Sequence, residues 1–173
     1  AKKVIDLFKK RDVEGILLGT MTFGEELAGV TVAEEFKRYP IMVFGTKEPE
    51  ALRPGFKGSD SFCGTLSLAS DLYRRQIPFL FLGIVFPEDG AFLKGLENFV
   101  RASAVVRGFL SARIGVIGPR PESFETVTFN EARMAELYGQ RVVPASLFEI
   151  IEAAKKLNDN DRDVIRILED MET

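Results

Sequence analysis

Histidine and tryptophan are both absent from the 173 residues, and cysteine occurs once, at Cys63. Without histidine the chain has no Ser-His-Asp triad, no Cys-His pair and no histidine-bearing zinc site; it also lacks the commonest general base at neutral pH. A single cysteine excludes an internal disulfide and a four-cysteine zinc site, and fits a reducing compartment. No apolar run approaches the ~20 residues that span a bilayer, and no signal peptide opens the chain. The basic residues form no block and the net charge is -3, so no long-range attraction to nucleic acid is expected. These absences point to a cytoplasmic protein that binds neither membrane nor nucleic acid.

What is present suits a packed core. Hydrophobic residues make up 46 % of the chain, with 15 phenylalanines, which excludes a disordered or low-complexity protein. Five short apolar runs recur along the chain: "EGILLGT", "PIMVFGT", "IPFLFLGIVF", "RIGVIG" and "RVVPAS". Continuous runs, rather than alternation, are the pattern of parallel strands covered on both faces. Helical stretches of crossover length separate them. The alternation predicts an α/β fold, a doubly wound (Rossmann/flavodoxin-like) parallel sheet in three αβα layers.

Local signals place the helices. Val4, Ile5, Leu7 and Phe8 form one face of an opening helix that ends near Asp12. Thr22 with Glu25 and Thr31 with Glu34 have capping-box spacing, which predicts two short helices broken near Gly29. Asp60 or Ser61 caps a helix to about Gln76, within which Asp71 and Arg74 are spaced to pair. Asn130 caps a helix stopped by Gly139, and Ser146 caps a long region interrupted around Asn158 to Asp161. The chain opens on a helix and closes after one, where doubly wound domains open on a strand. That suggests a portion of a longer polypeptide, with a lobe over residues 1–110 lacking its first strand and a second α/β lobe beginning at 111–173.

Two loops resemble nucleotide sites and fail as such. "RIGVIGPRPESFETVTFNE" ends a strand in Gly118, but Pro119 and Pro121 stiffen the turn and remove two N–H donors. No Gly-x-Gly-x-x-Gly follows the strand, so no dinucleotide site is expected. "KGSDSFCGT" lacks the Gly-Lys-Ser/Thr ending of a phosphate loop, so ATP is excluded as well.

The order of segments resembles the L-fucose isomerase and L-arabinose isomerase superfamily, most closely its fucose isomerase-like members. "GTMTFGEE" is similar to the loop after the first strand of their N-terminal lobe. "CGTLSLASDLYRRQIPFLFLGIVFPED" is similar to the helix, strand and acidic loop that follow. "RIGVIGPRPESFETVTFNEARMAELYGQRVVPASLFEII" is similar to the start of their second lobe.

The resemblance implies an aldose-ketose isomerase of carbohydrate metabolism that uses a divalent cation, usually Mn2+, and forms homo-oligomers on a small-molecule sugar. Its metal ligands, two acidic residues and a histidine, lie in later parts of such chains. Residues 1–173 alone are therefore expected to hold no metal and to be inactive. The resemblance also implies that Phe23, flanked by Thr22 and Glu25, walls a neighbouring subunit's sugar pocket. A staple beneath its own helix is the alternative role for that ring.

Other residues have two readings each. Arg120, with Ser123, Thr126 and Thr128, follows a parallel strand at its carboxyl end, the usual ligand side, and suits a sugar hydroxyl or phosphate as well as a solvated turn. Where relatives carry a polar pair after the third strand, Gly83 to Phe86 stay apolar. Glu88 and Asp89 would either replace that pair or complement a helix dipole, and the dipole role is preferred. Cys63 reads as a small buried residue beside Gly64 in preference to a thiol activated by a helix N-terminus. A non-catalytic sugar-binding or regulatory α/β module is the second function these features allow.

Overall fold

The computed structural model describes residues 1–48 and 58–172; Lys57, which opens the "KGSDSFCGT" stretch, lies outside them. The chain divides into two compact units, Ala1–Gly108 and Phe109–Thr173. The fold is α/β, with parallel strands in both units.

In the first unit α1 (Lys2–Arg11) leads to β1 (Ile16–Thr20), α2 (Leu27–Glu35), β2 (Ile41–Gly45), α3 (Ser61–Arg74), β3 (Leu80–Ile84) and α4 (Gly90–Phe109). The sheet has the order β1-β2-β3. Ile16 stands opposite Ile41 and Thr20 opposite Gly45, so the carboxyl ends of β1 and β2 are level. The β2–β3 register shifts between Val43 and Phe44. The shift lies beside Gly83, whose φ of 122° suits glycine and few other residues.

β2 is the central strand and every one of its residues is buried. Successive strand residues face opposite ways. Ile41 and Val43 join Val30, Ala33 and Phe36 of the α2 segment and Leu68 and Leu72 of α3 in one core. Phe44 turns to the other face and meets Phe92 of α4, edge to face at 4.9 Å, with Val85 beside them. Helices thus cover β2 on both sides, which is why its sequence is an unbroken apolar run. The most apolar run of the sequence, by contrast, supplies an edge strand, with Leu80 and Phe81 about half exposed.

Several local expectations are corrected here. Residues 27–35 form one helix that runs through Gly29, not two. Thr22 does not cap it: its hydroxyl donates to the carbonyl of Ser59 at 2.8 Å, a partner distant in sequence. Thr31 sits inside the helix and donates back to the Leu27 carbonyl at 2.6 Å. Asp71 pairs with Arg75, four residues on, in place of Arg74. Asp60 occupies the N-cap of α3 with φ 58° and makes no capping bond, while the Ser61 hydroxyl donates to Thr46 O at 2.7 Å. On α1, Ile5 and Phe8 pack on the core while Val4 and Leu7 stay exposed.

The second unit holds β4 (Arg113–Ile117), a 3-10 turn at Glu125–Val127, α5 (Glu131–Tyr138), β5 (Arg141–Ala145), α6 (Leu147–Ala154) and α7 (Arg162–Glu172). β4 and β5 pair in parallel. Asn130 caps α5 by accepting from the Arg133 amide, and Gly139 ends it with φ 67°; a methyl there would come within 3.0 Å of Ser111 Oγ. Ser146 stands at the N-cap of α6 without a side-chain capping bond. Among the described residues no helix is long and apolar enough to cross a membrane.

Candidate functional site at the carboxyl edge of the sheet

In open parallel sheets ligands bind beyond the carboxyl ends of the strands, where loops gather and helix N-termini point. A cleft of about 320 Å³ lies there in the first unit, at the end of β1. Leu18 and Gly19 form its floor, Thr22, Glu25 and Glu26 its polar wall, and Gly64 its α3 side. A larger hollow of about 430 Å³ lies at the amino edge, lined by Pro40, Ile41, Pro78, Leu80 and Phe99 among others. Its lining is mostly apolar, with Lys37, Tyr39 and Asn98 as its polar members, and it lies at the edge opposite the usual ligand side, so the carboxyl-edge cleft is the better candidate.

A hydroxyl cluster consolidates the strand ends beneath the cleft. Thr20 Oγ1 donates to Phe44 O at 3.2 Å and also meets Thr65 Oγ1. Thr65 Oγ1 donates to Ser61 O at 2.8 Å. Gly45 lies under this cluster, and a methyl there would collide with Thr65 Oγ1 and reach within 2.8 Å of Ile84.

The loop after β1 is pinned from two sides. Ser59 O accepts from the Thr22 hydroxyl and from the Phe23 amide, each at 2.8 Å. Gly64 presses on the same loop: a Cβ there would lie 2.7 Å from Thr22 O and 3.3 Å from Phe23 Cα. Ser59 is held in turn by Glu48, whose carboxylate accepts from the Ser59 amide at 2.9 Å and from its hydroxyl. Those bonds, the hydroxyl first, hold the Glu48 carboxyl below the usual glutamate range.

Phe23 itself is 59 % exposed and contributes nothing to the cleft lining, so it is no staple beneath α2. Its flanking residues Thr22 and Gly24 line the cleft while its ring stands outside. Cys63 is exposed rather than buried, and Asp60 beside it pushes the thiol's pKa up, the opposite of an activated nucleophile. Asp89 precedes α4 and accepts from the Phe86 amide at 3.0 Å and from Lys47 Nζ at 2.7 Å. The Lys47 bond is the main cause that holds its carboxyl low.

Both depressed carboxylates give the same sign of pH dependence. A group whose folded pKa lies below its unfolded value stabilises fully above the unfolded pKa, and that stability is lost as pH falls through the folded one. Acid unfolding of the double variant Glu48→Gln, Asp89→Asn is therefore expected to depend less on pH than that of the parent below about pH 5, where free carboxyls begin to protonate. Melting temperatures measured across that range check it, and parallel acid curves would contradict it.

Arg120 and Ser123 belong to the second unit, on the loop after β4. Arg120 Nη1 donates to Phe124 O at 2.9 Å, and Thr128 Oγ1 donates to Glu125 O at 2.8 Å. Both bonds close the loop on itself; Arg120, Ser123, Thr126 and Thr128 are all exposed. Among the described residues no three Asp, Glu or Cys side chains gather where they could hold a metal ion. The donor set that Mn2+ needs is thus not assembled by them.

Residues 1–110 match the sequence model of the family described as "Fucose/sulfoquinovose isomerase, N-terminal domain". The chain belongs to this family. A sulfoquinovose isomerase of Priestia aryabhattai is 26 % identical over 159 residues, covering 91 % of this chain and 34 % of the relative. Another from Priestia megaterium has the same identity and coverage. One from Alkalicoccus urumqiensis is 26 % identical over 144 residues, 82 % of this chain and 31 % of its own. The chain thus spans about a third of the length of the curated relatives it matches. In this fucose/sulfoquinovose isomerase N-terminal domain, the loop after β1 and its cleft fall wholly within the matched residues.

Glu48, Ser59, Glu26 and Gly64 join the site without having been singled out for it by sequence. Glu48 and Ser59 carry no local signature, since they stand 11 positions apart in sequence. A glycine in the first turn of a helix, as Gly64 is, does mark close backbone approach and was the available signal.

Proposed function

We propose that the intact protein is a cytoplasmic aldose-ketose isomerase of carbohydrate metabolism, to which residues 1–173 contribute part of the sugar pocket and subunit contacts. The observation that carries this reading is the family match over residues 1–110. Sulfoquinovose is the first substrate to test, because the relatives are named for it, with L-fucose and L-arabinose beside it. The reading includes Mn2+ or another divalent cation, which would act as Lewis acid on the sugar oxygens and be held by residues other than those described here. No step of the reaction is assigned to this chain's own carboxylates.

The role left to this chain is binding and orientation. Thr22, Glu25 and Glu26 line the cleft and are of the residue types that suit sugar hydroxyls. Phe23, outside that cleft and exposed, suits a pocket completed by a second subunit of a homo-oligomer, where its ring would stack on sugar C–H groups. Arg120 and Ser123 are proposed separately, within the second unit alone, as contacts to a sugar hydroxyl, and in this reading that unit begins a second α/β lobe. The reading also takes the first sheet as part of a doubly wound one; helices on both faces of β2 support that.

Incubating the intact protein with each sugar and Mn2+, and following the ketose by NMR, tests the activity. Conversion of sulfoquinovose or L-fucose is expected. Binding of a sugar without conversion would favour the non-catalytic module instead.

A further inference from the structure

We propose that Glu48 is a positioning residue for the Phe23 loop, acting through Ser59, so that a carboxylate outside the cleft sets the pose of the aromatic rim. The inference rests on the reading of Phe23 as a sugar contact. Two hydrogen-bonded links and one close approach carry it. The Glu48 carboxylate takes both the amide and the hydroxyl of Ser59. The carbonyl of that same residue takes the Thr22 hydroxyl and the Phe23 amide. Gly64 lets the loop lie close against α3, since a Cβ there would stand 2.7 Å from Thr22 O.

The loop after β1 is otherwise short of anchors. Met21, Phe23 and Leu27 are all at least half exposed, and a Cβ at Gly24 would meet nothing within 4 Å, so apolar packing holds it weakly. Among the described residues its other bonds to a different segment are at its start, where the Thr46 amide and hydroxyl reach Thr20 O and Met21 O at 3.3 and 3.4 Å. Ser59 thus anchors the loop after β1, and Glu48 holds Ser59. Gly58 is part of the same fit: a Cβ there would lie 2.8 Å from Glu48 Oε2, so the carboxylate is seated closely against the backbone.

The test uses the intact protein with Glu48→Ala and the conservative Glu48→Gln, read by amide hydrogen exchange and by sugar kinetics. Loss of two charge-assisted bonds is expected to speed exchange at the Phe23 amide about tenfold in Glu48→Ala, with β2 amides unchanged. Glu48→Gln, which keeps an acceptor oxygen, is expected to recover part of the protection. KM for the sugar is expected to rise several-fold in Glu48→Ala with kcat held, since the residue touches no reacting atom. Unchanged exchange at Phe23 in both variants would overturn the link. Faster exchange with an unmoved KM would instead remove the sugar contact on which the positioning role depends.

Discussion

Leu72→Ala is expected to destabilise the first unit by about 2–5 kcal/mol, the range for emptying a fully buried leucine site. Leu72 is 0 % exposed and packs from α3 into the core formed with Ile16, Ile41, Val43 and Ile77. Its own carbonyl accepts from the Ile77 amide at 3.0 Å, so the turn that leads into β3 hangs on the same residue. A β-strand on one side and a neighbouring helix on the other leave little room for the site to collapse, which favours the upper half of the range. For a unit of this size the melting temperature should fall by roughly 10 °C or more. Leu66→Ala on the exposed flank of α3 is the control, expected within about 0.5 kcal/mol of the parent. Thermal unfolding of the two variants decides it; equal losses would mean that α3 does not pack as described.

Gly64→Ala is expected to be the next most costly, at about 1–3 kcal/mol of overpacking. Alanine ordinarily improves a helix interior over glycine by up to about 1 kcal/mol, so the sign depends on what the methyl meets. Here it meets backbone: Thr22 O at 2.7 Å, Phe23 Cα at 3.3 Å and Thr22 C at 3.4 Å. A carbonyl within a bonded loop cannot rotate away as a side chain can, so the loop itself must move. The clash therefore outweighs the helical gain. Gly108 in α4 supplies the contrast, since a methyl there meets nothing within 4 Å and Gly108→Ala should keep the gain. Unfolding free energies of the pair should have opposite signs relative to the parent. A stabilised Gly64→Ala would show that the loop does not rest on α3.

All five apolar runs became strands, but only β2 is buried throughout, and β3, β4 and β5 are partly or largely exposed. Which strand is central was not legible. "IPFLFLGIVF" is the most apolar run yet forms an edge, while the shorter "PIMVFGT" holds the middle, because strand order depends on crossovers and not on composition. The break expected near Gly29 failed for a related reason. Threonines with capping spacing found other partners, Thr22 a carbonyl 37 residues away and Thr31 its own helix.

At the site, the loop carrying Thr22 and Phe23 was visible in sequence, as were the caps at Asn130 and Gly139. The exposure of Phe23 was not, since an aromatic beside a helix start fits a staple equally well. Cys63 shows the same limit. It lies one residue from Gly64, yet the turn of the helix puts Gly64 against the loop and Cys63 in solvent, beside Asp60. The Glu48–Ser59 contact left no trace, because nothing in either segment specifies the other.

The measurement that bears most directly on the whole account is the steady-state kinetics of Phe23→Ala in the intact protein on sulfoquinovose, taken with its melting temperature. Phe23 is 59 % exposed, so truncation should leave the melting temperature within a degree or two of the parent, since surface substitutions cost about 0.5 kcal/mol or less. If the ring stacks on the sugar, KM should rise by roughly five- to tenfold, the worth of an aromatic contact of about 1–1.5 kcal/mol. An unchanged KM with an unchanged melting temperature would contradict the sugar-rim role. A fall in melting temperature of the size expected for Leu72→Ala would contradict the exposed ring itself.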